Sequence, residues 1–442
     1  MTGSSAEDAT ERVAFAGLKG RLYSLAFIDE FGPIYAVYTL WFNDNGISTA
    51  RLSTVFIVWA AIALALEIPS GALADRIDRR RLLGAAFTIR GAGIALWLVW
   101  PTFTGVLIGA SLWALHDALA SGAWEAMIHD ELDEVGQARS YATVMARIGQ
   151  FSHLGIAAST LLGAALLRID VGLETLGWLT LAAHAGSIAL VVTLPEVRWH
   201  GAADEGTVRP TTADAPDNPP DRSIGAGPVA ETILPDLTAD DTFSYRAWWS
   251  TLRTGVRDAR SDPLIARLVA VGAMLEGLFI VDEYVPLIVR ARGGTDATAP
   301  IVVFVVWVGL LVGGEIAARR PALSGRLLGG ALIGGVAVMA VAFATSSVWT
   351  LMLVALGYAA LQALWVASDA RLQEHTPAAT RATVTSVRGF GSATISMLAF
   401  VAIGAMSEGD DPTRGQFVVL TALAVAGVLA VRWLPPPAEM ES

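Results

Sequence analysis

The 442-residue chain has no cysteine, which excludes disulfides, thiolate metal sites and cysteine nucleophiles and leaves the redox compartment open. Charge is scarce too. Asp, Glu, Lys and Arg make up 16 % of residues against 54 % hydrophobic ones, and the mean hydropathy is +0.54. Lipid, not water, is then the solvent expected for most of the chain. No His-Glu-x-x-His, Gly-x-Ser-x-Gly or Gly-x-x-x-x-Gly-Lys segment occurs, which speaks against an intramembrane enzyme and against ATP as an energy source. No cofactor, metal or nucleic-acid partner is expected. Met1 to Thr10 lacks the basic flank and apolar core of a cleavable signal, so nothing is expected to be removed before the first span.

What is present is a series of apolar segments. A bilayer core about 30 Å thick needs roughly 20 residues of helix, because unpaired backbone groups are too costly in hydrocarbon. Twelve segments meet that length. In the first half they are 22–42, 53–73, 82–100, 104–127, 142–167 and 173–194. In the second half they are 264–289, 301–318, 327–344, 348–367, 382–406 and 417–434. The expected class is therefore an all-α polytopic membrane protein.

Basic residues mark alternate connections. Arg12, Lys19 and Arg21 precede the first span, Arg76, Arg79, Arg80 and Arg81 follow the second, and Arg139, Arg198, Arg319, Arg320, Arg326, Arg371 and Arg381 continue the series. By the positive-inside rule both termini and the central loop are expected to be cytoplasmic, in a plasma or inner membrane. The net charge of -11 falls largely on the 204–241 stretch and the tails, so it describes loops rather than a ligand.

The domains expected are a tail at 1–20, a six-helix bundle at 21–194, a linker at 195–262, a second six-helix bundle at 263–434 and a tail at 435–442. The linker, rich in Pro, Asp, Gly and Thr, has too little apolar surface to fold, except for a basic amphipathic stretch at 244–260 that either lies on anionic lipid or leads into span seven. Membrane lipid is the expected partner there.

An internal repeat appears at an offset near 240. Trp124 and Asp130 resemble Trp365 and Asp369, and Ala142-Thr143-Val144 with Arg147 resembles Ala382-Thr383-Val384 with Arg388. An even number of spans per copy gives both copies the same orientation, with a central cavity between two parallel bundles.

The stretch from Gly71 to Leu83, which includes Asp75, Arg76, Arg79, Arg80 and Arg81, closely resembles the signature loop of the major facilitator superfamily. A small residue lets helices approach, and arginines offer forked donors to a neighbouring acid. Asp130 is the natural partner for Arg76. The resemblance implies that Gly71, Asp75, Arg76, Arg79 and Asp130 latch the halves in one of two states. Asp78 stands where this loop usually has Gly, a position expected to need a left-handed turn that Asp tolerates. The arginine in span four and the Gly-Pro pair in span five that mark the family's proton-coupled drug antiporters are not evident, so drug efflux does not follow from motif.

Charged groups at bilayer depth cost on the order of 3 kcal/mol or more, which makes them functional candidates. At about 1.5 Å per residue, Asp29 and Glu30 lie roughly 12 Å from the cytoplasmic side, Asp117 roughly 20 Å and Glu276 roughly 18 Å. His116 beside Asp117 pairs a group titrating near neutrality with a carboxylate, so Asp29, Glu30, His116, Asp117 and Glu276 are candidates for proton coupling. Structural ion pairs with Arg90, Arg147 or Arg388 are the alternative. Asp282 and Glu283 are placed nearer the outer mouth, where solvated acids are ordinary. Tyr35, Tyr38, Trp113, Trp124 and Trp365 are candidates for lining an apolar or aromatic pocket, and Arg147 and Arg388 for holding an anionic group. The resemblance implies a monomeric secondary transporter of a small molecule working by alternating access, with proton-coupled efflux the leading reading. Uptake or facilitated passage of a polar solute is the alternative, and a receptor that moves nothing is a third.

Overall fold

The structure, a computed structural model, describes residues 3–74, 78–134, 136–194, 253, 256–257, 260, 262–377 and 380–435. Among these the fold is helical, with no sheet and one isolated bridge between Glu408 and Asp411. Eleven described helices are long and apolar enough to cross a bilayer. The first expected span is the exception, because a non-helical turn divides it, whereas span seven, interrupted by a 3-10 turn, counts as the single run Pro263–Ala291.

Helix α1 (Gly3–Asp29) runs through the expected tail and stops at Asp29, a turn follows, and α2 (Tyr38–Asp44) completes the crossing. The stop is dictated by Pro33. Its ring would clash with the carbonyl four residues back, at Asp29, and it has no N–H to give that carbonyl. The remaining helices of the first half are α3 (Thr49–Ala74), α4 (Arg79–Val99), α5 (Phe103–Glu134), α6 (Tyr141–Arg168) and α7 (Leu173–Val192).

The second half repeats the pattern. Helix α8 (Pro263–Gly277) is capped by Asp262, whose carboxylate accepts from the N–H groups of Leu264 (2.7 Å) and Ile265 (3.4 Å). A 3-10 turn (Phe279–Tyr284) interrupts span seven before α9 (Val285–Ala291), which carries Pro286 in its first turn. Then come α10 (Ala299–Arg319), α11 (Gly325–Ala344), α12 (Val354–His375), α13 (Arg381–Met406) and α14 (Thr413–Trp433). Helices α2 and α9 are seven residues each, and each is followed by a glycine at positive φ, Gly46 (78°) and Gly293 (74°). The repeat is thus visible in the backbone as well as the sequence.

A broken helix in hydrocarbon frees carbonyls that water cannot reach, so side chains must take them. They do. Ser396 donates to Gly277 O (2.9 Å) and the fully buried Gln416 to Val281 O (3.3 Å). In the first break the Ile34 N–H donates to Thr180 Oγ1 (3.2 Å).

Small residues set the closest helix contacts. A Cβ added at Gly309 or Gly313 of α10 would lie 2.2 or 2.1 Å from the carbonyl oxygens of Ala355 and Ala359 on α12. Backbone meets backbone there, as small residues at four-residue spacing permit. Gly313→Val is expected to cost about 1–3 kcal/mol, the usual cost of overpacking, while Gly314→Ala, whose Cβ would sit 3.7 Å from the Gln362 side chain, is tolerated. Thermal midpoints of the two variants in detergent check this; equal midpoints would contradict the close packing.

Several expectations need correction or lie out of reach. Asp78 is not in a left-handed turn: at φ −50° it caps α4, its carboxylate accepting from the Arg81 N–H at 2.8 Å. Asp at a helix N-cap satisfies an otherwise orphaned donor, which explains its presence where the loop usually has Gly. Asp75 and Arg76 lie outside the described residues, as do nearly all of the linker and the stretch at 244–260. Of Gly71 only the helical backbone is described.

Candidate functional site

A cavity of about 800 Å³ lies between the halves. Both helix breaks reach it: Glu30, Tyr35 and Tyr38 from the first, Glu276, Asp282 and Glu283 from the second. Helix α5 adds Trp113 and Asp117, and α13 adds Ser392 and Phe400. Carboxylates and aromatic rings therefore share one wall space.

Set into the first-half wall is Arg90, 4 % exposed. It donates to Asp29 Oδ1 (3.1 Å) and to the Tyr35 hydroxyl (3.0 Å), and its guanidinium lies 4.4 Å from the centre of the Trp113 ring and 5.5 Å from that of Tyr35. A buried cation is thus held by one carboxylate and two ring faces. On the other side of Asp29 is His184, 1 % exposed, its Nδ1 3.7 Å from Asp29 Oδ1. His184 Nε2 is 2.8 Å from Phe87 O, and a carbonyl only accepts, so Nε2 carries the proton. Its Nδ1, buried and without a hydrogen bond, faces a carboxylate. His116 packs edge-on to Phe87 (5.2 Å), with Nε2 4.0 Å from Asp117 Oδ1.

Behind the second-half wall Arg388 joins two acids, Asp369 and, at 3.2 Å from Nε, Glu276. Asp282 is saturated within its own half: Trp307 Nε1 donates to it at 2.9 Å and the Tyr358 hydroxyl at 2.8 Å. Glu283 instead crosses to the other half and accepts from the Tyr38 hydroxyl.

That contact belongs to a seam at one end of the molecule. Arg290 at the end of α9 bridges Asp44 at the end of α2 (2.5 Å) and Asp296 (2.9 Å), which also shows that spans one and seven run in the same direction. Thr49 meets Asp410 through its N–H (3.4 Å) and hydroxyl (3.0 Å). Ser53 gives its proton to Thr49 O (3.0 Å), so Tyr284, 2.7 Å away, donates to Ser53. Phe56 packs on Phe400 (5.0 Å) and edge-on to Tyr284 (5.8 Å). Toward the opposite end, Arg79 pairs with Asp130 and donates to Ala126 O (3.2 Å) inside the first half, and Arg388 pairs with Asp369 inside the second.

The sequence candidates divide accordingly. Glu30, Asp117, Glu276, Tyr35, Tyr38 and Trp113 line the cavity, while Asp29 and His116 stand behind its wall. Trp124 packs in the apolar cluster of Leu22, Leu83 and Ile148, and Trp365 packs edge-on to Phe279 (6.3 Å). Arg147 is exposed and donates to Gln150 (2.9 Å), so it does not join Arg388 around an anion. Arg388 is itself taken by two acids. Among the described residues Asp130 is partnered by Arg79, and its expected partner Arg76 lies outside them. Arg90 and His184 were not among the candidate site residues, and Asp282 and Glu283 are cavity groups rather than solvated acids of an outer mouth. Pro33 and Pro286, inside apolar runs, were the signal that the depth count would fail there.

Two helical bundles of like orientation around a polar and aromatic cavity define a polytopic membrane transporter rather than an enzyme. The chain belongs to the Major Facilitator Superfamily, whose family model matches residues 22–399. A curated relative, "Inner membrane transport protein YajR" of Escherichia coli (strain K12), is 25 % identical over 182 residues, which are 41 % of this chain and 38 % of that relative. Among solved structures, the nucleoside transporter NupG superposes with a TM-score of 0.64 at 13 % identity, covering 94 % of this chain and 98 % of the other. A bacterial homologue of the human lysosomal transporter Spinster, inward-facing and unoccupied, gives 0.59 at 18 % identity over 96 % and 94 %. A D-xylose-proton symporter gives 0.60 at 14 % identity over 97 % and 98 %. At these identities the likeness is one of fold.

Proposed function

We propose that this chain is a proton-coupled exporter of a small amphipathic molecule, held in a state closed at the outer end and open toward the cytoplasm. The observation that carries the reading is the pairing of an acid-lined central cavity with a seam whose polar contacts between the halves, among the described residues, gather at one end. The contacts between halves lie around Asp44, Thr49, Arg290 and Asp410, whereas the Arg79–Asp130 and Arg388–Asp369 pairs hold within each half. With both termini on the cytoplasmic side, as the distribution of arginines favours, that seam is external. Rocking the halves would break it and expose the cavity outward.

Protons have places to act. Asp29 beside the unpartnered His184 Nδ1, and Asp117 beside His116, are carboxylates within 4.0 Å of an imidazole at bilayer depth. Binding a proton there lowers the cost of moving the charge through a changing environment, which ties the conformational equilibrium to the proton gradient. Reconstituted protein, screened with organic cations, nucleosides and sugars, is expected to move at least one solute faster by about tenfold when a pH gradient is imposed, which corresponds to about 1.4 kcal/mol. Asp117→Asn is expected to lose that dependence. An Asp117→Asn protein that transports normally and keeps its response to the gradient would remove the assignment.

A further inference from the structure

Charge and ring chemistry in the cavity go further and narrow the solute. In the first-half wall Glu30 and Asp117 share one guanidinium, Arg90, and Asp29 behind them already takes one of its donors. In the second-half wall stand Glu276, Asp282 and Glu283, and behind them Arg388 is shared between Asp369 and Glu276. Asp282 and Glu283 are satisfied by Trp307, Tyr358 and Tyr38. Glu30 is different: its carboxylate makes no hydrogen bond among the described residues. Glu276 has an Oε2 atom buried without a hydrogen bond although Arg388 is close, and Thr39, 1 % exposed and also lining the cavity, has an unpartnered hydroxyl. Acids in excess at this depth call for positive charge from elsewhere.

The rings decide what kind. Among the described residues no three acids or histidines stand close enough together to hold a metal ion; the carboxylates are spread around an 800 Å³ space walled by aromatic side chains. A compact cation would keep its water and gain little from such walls. A bulky one would lose little and gain the ring faces, as the chain's own Arg90 does over Trp113 at 4.4 Å. We propose that the cavity binds an amphipathic organic cation, with Glu30 and Asp117 on one wall and Glu276 on the other as its charge partners. This rests on the reading of the cavity as the transport site.

Tetraphenylphosphonium and tetraphenylborate carry the same four rings around opposite charges, so together they isolate the sign of the charge from the apolar contact. With the purified full-length protein in neutral detergent, after subtraction of binding to empty micelles, calorimetry and tryptophan quenching are expected to show the phosphonium binding at least tenfold tighter than the borate. Glu30→Gln, Asp117→Asn and Glu276→Gln are each expected to weaken phosphonium binding about tenfold, with Glu30→Asp retaining part of it. Glu315→Gln, an exposed acid paired with Arg319 on α10, leaves it unchanged. Equal or tighter binding of the borate, no binding of either ion, or carboxamide variants that bind the phosphonium as well as the parent would overturn the proposal. Where a carboxamide variant does not fold, the comparison of the two ions on the parent protein decides. Phosphonium binding without flux of any solute would leave the cation site standing and remove the transport reading. Flux of a neutral or anionic solute without phosphonium binding would do the reverse.

Discussion

Arg90→Met is expected to lower the stability of the protein by about 3–5 kcal/mol and to abolish transport, because it strips a largely buried acid of the one arginine that pairs with it among the described residues. Arg90 is 4 % exposed and makes the 3.1 Å bond to Asp29 that no other described arginine supplies. The ring contacts with Trp113 and Tyr35 go as well, and the Tyr35 hydroxyl loses its donor. Met fills the space of the stem but brings no charge, so the loss is electrostatic rather than one of packing. Arg90→Lys recovers only part of it, since an ammonium cannot serve Asp29 and Tyr35 with the spread of a guanidinium. The double variant Asp29→Asn, Arg90→Met should be more stable than Arg90→Met alone, for the stranded charge is then gone. Thermal and denaturant unfolding in detergent across this cycle checks the account. An Arg90→Met protein as stable as the parent would show that the cluster does not hold the first bundle together.

Much of this architecture was legible in the sequence because hydrocarbon is a strict solvent. Length and apolarity alone mark eleven of the helices, and a charge inside such a run stands out, which is how Asp29, Glu30, Asp117 and Glu276 were found. The helix breaks were less legible. Counting depth at a constant rise treats spans one and seven as straight rods, whereas Pro33 ends α1 and a 3-10 turn with a different rise sits before Pro286. Asp282 and Glu283 were therefore set too near the surface. Pairing was harder still. Arg147 and Arg388 occupy equivalent places in the repeat, yet one is exposed beside Gln150 and the other joins Asp369 to Glu276. The difference lies in what the rest of each half supplies: Asp130 is already taken by Arg79, while Asp369 takes Arg388. His184, a lone histidine in an apolar helix, gave no sign of its contact with Asp29, because that contact depends on the crossing of α1, α4 and α7.

The seam between the halves offers the second large effect, and the absence of cysteine makes it accessible, since any thiol introduced is unique. Thr49 begins α3 and Asp410 lies in the turn before α14, and they touch through two hydrogen bonds, 3.4 and 3.0 Å long. Around them stand Arg290 with Asp44 and Tyr284 with Ser53, and Gly404 brings α13 so near α3 that a Cβ there would lie 2.8 Å from Ser53 Cβ. If the cavity is served by rocking of the two bundles, this end must part once in every cycle. A covalent bond across it holds the protein in one state without touching the cavity walls.

The measurement is solute flux through proteoliposomes containing the Thr49→Cys, Asp410→Cys protein, oxidised or joined by a short bifunctional thiol reagent, and then reduced. Flux is expected to fall at least tenfold on cross-linking and to return on reduction, with phosphonium binding retained throughout. A protein whose cross-link is confirmed on a gel, and which still carries solute at the rate of the reduced form, would contradict it.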